Sequence, residues 1–340
     1  MSLPVVFILY FLSAAVLVFF SVKCADYVDL LDKKTNMSGA FIGGVILAAV
    51  TSLPEFVTSM SSIFIAHKPE LIIGNVLGSN IFNLCIFGGS VILAAKAFSK
   101  SKIGKSHLAT ILCTLAACAL LALVFFVPAG DSSFGQIPVI QINIVSLLIL
   151  VIYFISFRFL SGDDSENDEE DTSPLTVKQI IVRFVLMACG LVGMSIVVTM
   201  LTDTLQEKLS LDASLAGAIF LGVATSLPEL SSSIALVRRR NFNAMIGNVV
   251  SSNMFNFTIF AVADMLAFQA IYPAASAVSL ETKCMLIFGV VSTLLMMGAM
   301  LLQRRMKDKS NAVLLVVYVV VGVLIIGSYL TSLILPGIVA

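Results

Sequence analysis

Two glutamates in this chain stand beside prolines inside long apolar stretches. The pentapeptide Thr-Ser-Leu-Pro-Glu occurs at Thr51–Glu55 and again at Thr225–Glu229. Each copy is followed by a related stretch: Gly74-Asn75-Val76-Leu77-Gly78-Ser79-Asn80-Ile81-Phe82-Asn83, then Gly247-Asn248-Val249-Val250-Ser251-Ser252-Asn253-Met254-Phe255-Asn256. Spacings of three and four put Thr51, Ser52 and Glu55 on one helical face, continued by Thr58, Ser59 and Ser62. Thr225, Ser226, Glu229, Ser232 and Ser233 repeat that face. Proline cannot donate to the helix ladder and disturbs the turn before it, around Val50 and Thr51. Carbonyls freed there can be satisfied by a dehydrated cation, together with side-chain oxygens. Asn75, Ser79 and Asn83 are four apart, as are Asn248, Ser252 and Asn256, so each set lines one face. Polar residues at such spacing also serve simply to join membrane helices, and Gly74 and Gly78 allow close approach of a neighbour. A buried carboxylate is different, because at membrane depth it is costly without a partner.

The donor types select the ion. Carboxylate, amide, hydroxyl and carbonyl oxygens suit hard cations, and no thiolate or imidazole stands near for zinc, copper or iron. Two ionised glutamates balance one Ca²⁺ or two Na⁺, so the two occupations exclude each other on electrostatic grounds. Mg²⁺, which gives up its waters reluctantly, ranks below Ca²⁺, and Mn²⁺ stays open.

These residues need spanning elements to hold them. Apolar residues make up 59% of the 340-residue chain and charged residues 12%; the mean hydropathy is +1.06. That composition is an integral membrane protein's. Its opening stretch, 4–22, lacks a basic n-region and reads as a first spanning helix. Ten spans are expected, at 4–24, 38–66, 70–95, 107–127, 138–159, 179–201, 213–236, 243–270, 283–302 and 312–335. The second and seventh carry the Pro54 and Pro228 breaks.

The fold class is therefore all-α, with residues 1–160 as one five-helix repeat and 176–340 as the other. Between them, 161–175 is an acidic linker that contains Asp163, Asp164, Glu166, Asp168, Glu169, Glu170 and Asp171 without an EF-hand pattern. It reads as a solvated segment. Of 20 lysines and arginines, only Lys68, Lys208 and Lys283 fall in loops on one side. The positive-inside rule then puts both termini outside and the linker in the cytoplasm of a multi-pass cell-membrane protein. Five helices per half is odd, so the second half enters upside down, giving inverted-topology repeats.

Other reactive groups add little. The six cysteines are scattered and read as small buried hydrophobes. His67 and His107 stand alone at helix ends, and Asp26 and Asp203 fit solvated helix ends. Asp264, two turns beyond Asn256, reads as structural, with an access-path role as the competing assignment. Arg238–Arg240 and Arg304–Lys309 read as topology anchors, with no nucleic-acid partner and no cofactor expected.

Thr51–Glu55 with Gly74–Asn83, and Thr225–Glu229 with Gly247–Asn256, resemble the two alpha repeats of the sodium/calcium exchanger family, within the calcium/cation antiporters. The resemblance extends to the whole architecture. It implies a central Ca²⁺ site at Glu55 and Glu229 flanked by Asn83 and Asn256. Ser52, Ser79, Ser226, Ser252, Thr51 and Thr225 would complete Na⁺ sites with nearby carbonyls. It further implies alternating access by sliding of the first and sixth helices, with a monomer as the transport unit.

Three positions depart from the family pattern. Val50 and Ala224 stand where relatives usually carry glycine, and Asn256 stands where potassium-dependent relatives carry aspartate. Glu55 to Asn83 spans 28 residues but Glu229 to Asn256 spans 27, which places an extra residue in the loop near Lys68.

The leading expectation is thus Na⁺-driven Ca²⁺ antiport. H⁺/Ca²⁺ antiport through the same glutamates is the alternative, followed by a passive cation channel. A deep pair of charges suits tight alternating binding better than rapid conduction. An intramembrane hydrolase lacks a positioned nucleophile and base.

Overall fold

Lipid offers backbone groups no hydrogen bonds, so the apolar runs of a spanning chain must close their own ladders as helices. The computed structural model describes residues 1–35, 52–129, 133–137, 142–160, 174–267, 271–306 and 312–339. The first half comprises α1 (Leu3–Thr35), α2 (Leu53–Phe64), α3 (Glu70–Lys100), α4 (Ser106–Phe126) and α5 (Ile144–Leu160). The second begins with α6 (Val177–Leu209), opened by a reciprocal cap between Thr176 and Gln179. Next comes a broken span built from α7 (Ala213–Ala216), a π-helical turn (Gly217–Gly222), α8 (Val223–Thr225) and α9 (Leu227–Arg238). The half ends with α10 (Phe242–Leu266), α11 (Leu280–Met306) and α12 (Ala312–Val339).

Among the described residues, seven helices and this one broken pair are long and apolar enough to cross a membrane. Helix α5 is shorter, at 17 residues. It starts six residues later than the sequence suggested, because Ile142–Asn143 pairs antiparallel with Gln136–Ile137 in a small hairpin. Helix α2 is the second part of the span expected over 38–66, and residues 36–51 lie outside the described residues.

Packing interlocks the halves. Helix α3 lies against α11 and α12, while α10 lies against α4 and α5. Each motif-bearing helix is thus flanked by the last two helices of the opposite half, as an inverted repeat requires. Helices α1 and α6 pack along each other and cover the broken span through Tyr10, Leu17, Leu191, Val198, Phe220 and Leu221. The Tyr10 hydroxyl donates to the Phe220 carbonyl at 2.5 Å, tying α1 to the π-helical turn.

The loops keep the repeat visible. Each α2-to-α3 type of connection turns through one left-handed residue, His67 (φ 55°) in the first half and Arg240 (φ 59°) in the second. His67 lies twelve residues beyond Glu55 and Arg240 eleven beyond Glu229, so the extra residue falls just before His67. Beside it, Lys68 pairs with Asp203 and with Glu207 (3.2 Å) and donates to Gln206 (2.9 Å), fastening this loop to the end of α6. Asp203 is therefore an ion-pair partner between elements, not simply a solvated helix end. Burial works to lower the Lys68 pKa, but the hydrogen bonds and charges of Asp203 and Glu207 outweigh it and hold it above the usual lysine value.

At the opposite end, Gln303 donates to the Ser101 carbonyl (2.6 Å), Arg304 to the Ile103 carbonyl (3.2 Å) and the Gly104 amide to Asn243 (2.8 Å). The last turn of α11, the loop following α3 and the start of α10 therefore meet at one end.

Candidate cation site

The two prolines act as helix starters. Pro54 and Pro228 each occupy the first turn of a half-helix, α2 and α9, where their missing N–H has no intrahelical partner to lose. Ser52 (φ −90°, ψ 11°) and Ser226 (φ −89°, ψ 3°) sit immediately before, in nearly the same non-helical conformation. In the second half the axis bends by 45° at Ser226. The break thus falls two residues before the proline, and the π-helical turn upstream was not anticipated.

That turn has a packing reason as well as a conformational one. A Cβ at Gly74 would lie 1.8 Å from the Ser214 carbonyl oxygen, and one at Gly222 would lie 2.8 Å from the Ser79 nitrogen. Backbone therefore meets backbone between α3 and the broken span, which brings Ser79 within 3.2 Å of the Gly222 carbonyl and 3.4 Å of the Thr225 hydroxyl. The Thr225 hydroxyl itself donates to the Leu221 carbonyl at 2.9 Å.

The two pentapeptides then cross. Ser226 Oγ donates to Glu55 Oε1 at 3.1 Å, and Ser52 Oγ to Glu229 Oε1 at 3.5 Å. Ser252 Oγ also donates to Glu229 Oε1 (3.3 Å) and lies 3.0 Å from Ser52 Oγ. Each carboxylate is held by the serine of the opposite repeat, and this draws both glutamates into one polar centre. Both are fully buried, as are Ser52, Ser79, Asn83, Thr225, Ser226 and Asn256.

The amides form a second crossing. Asn83 Nδ2 donates to Asn253 Oδ1 and Asn256 Nδ2 to Asn80 Oδ1, both at 3.0 Å. Among the glutamates and asparagines of these two crossings, four buried oxygens then have no hydrogen-bond partner in the described residues: Glu55 Oε2, Glu229 Oε2, Asn83 Oδ1 and Asn256 Oδ1. Two come from each half. Buried acceptors without donors are costly, and a set of carboxylate and amide oxygens in this condition matches the donor chemistry of a hard cation.

Nine of the ten residues expected from the sequence meet here; Thr51 lies outside the described residues, as does Val50. Other members of the polar stripes have a different place. Asn75 Nδ2 donates to the Glu55 carbonyl (3.1 Å), Thr58 Oγ1 (3.1 Å) and Ser59 Oγ (2.9 Å), and Asn248 does likewise to Ser232 (3.0 Å) and Ser233 (3.3 Å). These amides join α2 to α3 and α9 to α10. Asp264 Oδ2 accepts the backbone N–H of Asn143 at 2.7 Å and so ties α10 to the chain where α5 begins. Asn80 and Asn253 were missed, although they repeat at the same place in both motifs.

The family model described as sodium/calcium exchanger protein matches residues 2–162 and 179–330. The uncharacterized membrane protein MJ0091 of Methanocaldococcus jannaschii is 29% identical over 225 residues, covering 64% of this chain and 68% of that protein. The putative antiporter CaxA of Alkalimonas amylolytica is 25% identical over 292 residues, covering 84% and 88%. Among solved structures, the sodium-calcium exchanger NCX_Mj superposes with a TM-score of 0.57 at 22% identity, covering 94% of this chain and 97% of that one. The H⁺/Ca²⁺ exchanger CAX gives 0.63 at 14% identity, covering 97% and 90%. At these identities the structural likenesses speak to the fold.

Proposed function

The chain belongs to the sodium/calcium exchanger family, and from that premise we propose that it exchanges Na⁺ for Ca²⁺ across the membrane by alternating access at the two-glutamate centre. The observation that carries this reading is the set of four buried, unpartnered oxygens from Glu55, Glu229, Asn83 and Asn256. Ca²⁺ would take those oxygens and be neutralised by the two carboxylates. Na⁺ would use the same carboxylates with Ser52, Ser79, Ser226 and Ser252, and with Thr51 and Thr225 at the helix breaks. The carbonyl oxygens before Ser226, including that of Gly222, extend this donor set. Because both ions draw on the same two negative charges, one must leave before the other is stably held. That exclusion is what converts a binding site into an antiporter. An exchange that moves one net charge is driven by about 2.3 kcal/mol per 100 mV.

Helices α1 and α6, packed on each other and over the broken span, are the pair that would slide to open the site to either side. The basic loops would face the cytoplasm, leaving both termini and Lys68 outside. The repeats would meet across the 161–175 linker, and one chain would suffice for transport.

H⁺ coupling is the second reading. Glu55 Oε2 and Glu229 Oε2 are positions where a proton would sit as readily as a cation. Ala224, buried at the helix break where relatives carry glycine, bears on the geometry of the Na⁺-facing carbonyls.

Radiolabelled Ca²⁺ uptake into proteoliposomes at clamped voltage separates these readings. Uptake driven by internal Na⁺ and lost in both Glu55→Gln and Glu229→Gln is the expected result, since either change leaves the divalent ion under-neutralised. Uptake driven only by a pH gradient would transfer the assignment to H⁺/Ca²⁺ antiport. Equilibration without any gradient would indicate a channel, and normal uptake in both variants would remove the site.

A further inference from the structure

An asparagine at a cation site is useful only if its oxygen faces the ion, because its two ends are nearly the same size and the nitrogen end repels a cation. Something must therefore set which way Asn83 and Asn256 point. Asn253 Nδ2 donates to the backbone carbonyl of Asn80 at 3.1 Å. A backbone carbonyl only accepts, so this bond fixes the orientation of the Asn253 amide. Asn253 Oδ1 is thereby turned toward Asn83, where it accepts from Nδ2 at 3.0 Å. Asn83 Nδ2 also lies 3.2 Å from Ser252 Oγ. Ser252 gives its one hydrogen to Glu229 Oε1 (3.3 Å), so toward Asn83 it can only accept, and it favours the same end of the amide as Asn253 does.

With its nitrogen engaged, Asn83 leaves Oδ1 as its unpartnered atom. The mirrored branch runs from Asn80 Oδ1 to Asn256 Nδ2 at 3.0 Å and leaves Asn256 Oδ1 unpartnered in the same way. That branch has no backbone anchor, since Asn80 Nδ2 has no partner among the described residues.

From this chain of bonds we infer that Asn253 and Asn80 are positioning residues, which lock the amides of Asn83 and Asn256 with their oxygens toward the ion. Neither would touch the ion itself. The backbone-anchored Asn253 branch is the more tightly determined of the two. The inference rests on the two-glutamate reading of the site.

A carboxylate in place of Asn83 presents oxygen in either orientation, and this gives the test. Equilibrium binding of radiolabelled Ca²⁺ to purified full-length protein in detergent is measured for the unaltered chain, Asn253→Leu, Asn83→Asp and the double variant. Leucine preserves the volume of Asn253 without its polar ends. Losing one of the two bonds that orient Asn83, the one with a backbone anchor behind it, should weaken Ca²⁺ binding about tenfold, the scale of one hydrogen bond. In the Asn83→Asp background the same change should cost less than about twofold, because nothing remains to be oriented.

Equal losses in both backgrounds would show that Asn253 acts by general packing and would overturn the inference. So would unchanged binding in Asn253→Leu. Absence of Ca²⁺ binding by the unaltered chain would overturn the site reading itself, a distinct failure. If Asn253→Leu does not fold, Asn80→Leu with and without Asn256→Asp runs the same cycle on the mirrored branch. It leaves the Asn80 carbonyl in place, and the expected loss is smaller, about threefold.

Discussion

At the residue scale the chemistry rests on what each buried oxygen does. Glu55 Oε1 and Glu229 Oε1 are each engaged by the serine of the opposite repeat, while their Oε2 atoms are not engaged by any described residue. A serine hydroxyl donates a hydrogen bond without carrying charge, so in the proposed site the carboxylates would keep their charge for an ion. In the proposed site Asn256 would contribute a neutral oxygen where an aspartate would bring a third negative charge. Replacing Asn256 with Asp should therefore change the relative dependence on Na⁺, K⁺ and Ca²⁺ while leaving the thermal unfolding midpoint within a few degrees. Identical ion dependence in transport assays would contradict that assignment. The repeated Glu, Ser and Asn positions could be picked out from the chain because the motif occurs twice. The bonds of the Asn83 amide could not, because they run to Asn253, which is itself bonded to the Asn80 carbonyl 173 positions away.

At the element scale the broken span decides how closely α3 can approach. Gly74 meets the Ser214 carbonyl, a backbone atom that cannot swing aside. Gly74→Ala should destabilise the protein by about 1–3 kcal/mol, the usual scale of overpacking, and should reduce transport with it by displacing Ser79 from Gly222. A thermal midpoint equal to that of the unaltered chain would count against the close contact. Within the π-helical turn, the Phe220 carbonyl accepts the Tyr10 hydroxyl. Tyr10→Phe removes that buried hydrogen bond at a cost of about 0.5–1.5 kcal/mol. Because Tyr10 is on α1, the substitution should also change the transport rate more than the equilibrium affinity for Ca²⁺. Comparing initial uptake with equilibrium binding checks this, and an altered affinity at unchanged rate would argue the reverse. Proline positions alone located the break to within two residues. The π-helical turn could not be read from the helical period, and its first and last residues, Gly217 and Gly222, lie where the chain meets the α3 backbone.

At the scale of the whole molecule, charge sorts to the two ends. Ser101, Ile103, Gly104, Asn243, Gln303 and Arg304 lie in contact at one end. Lys68, Asp203, Gln206 and Glu207 form a cluster that joins the loop before α3 to the end of α6. Because the pKa of Lys68 is raised, that tether stays charged below the ordinary lysine value and is lost only as the pH climbs through the raised one. Its orientation in the membrane can be read directly. In a background with the six native cysteines replaced, Lys68→Cys should react with a membrane-impermeant maleimide in intact cells, and Arg239→Cys only after permeabilisation. The opposite pattern would invert the topology and put both termini inside.

The chain by itself determined that this is a helical membrane protein of two inverted halves, with paired glutamates beside helix-breaking prolines. Those features are local or repeated: hydropathy over one span, proline in one turn, a motif occurring twice, and basic residues counted loop by loop. Only the tertiary structure decided that Ser226 serves Glu55 while Ser52 serves Glu229, and that Asn80 and Asn253 hold Asn256 and Asn83. It also decided that Asp264 fastens the start of α5 and that Asp203 pairs with Lys68. Each is a contact between residues far apart in the chain, set by how α3 and α10 cross between the halves. A periodic pattern fixes which face of a helix is polar, but the partner of that face is chosen only when the helices pack.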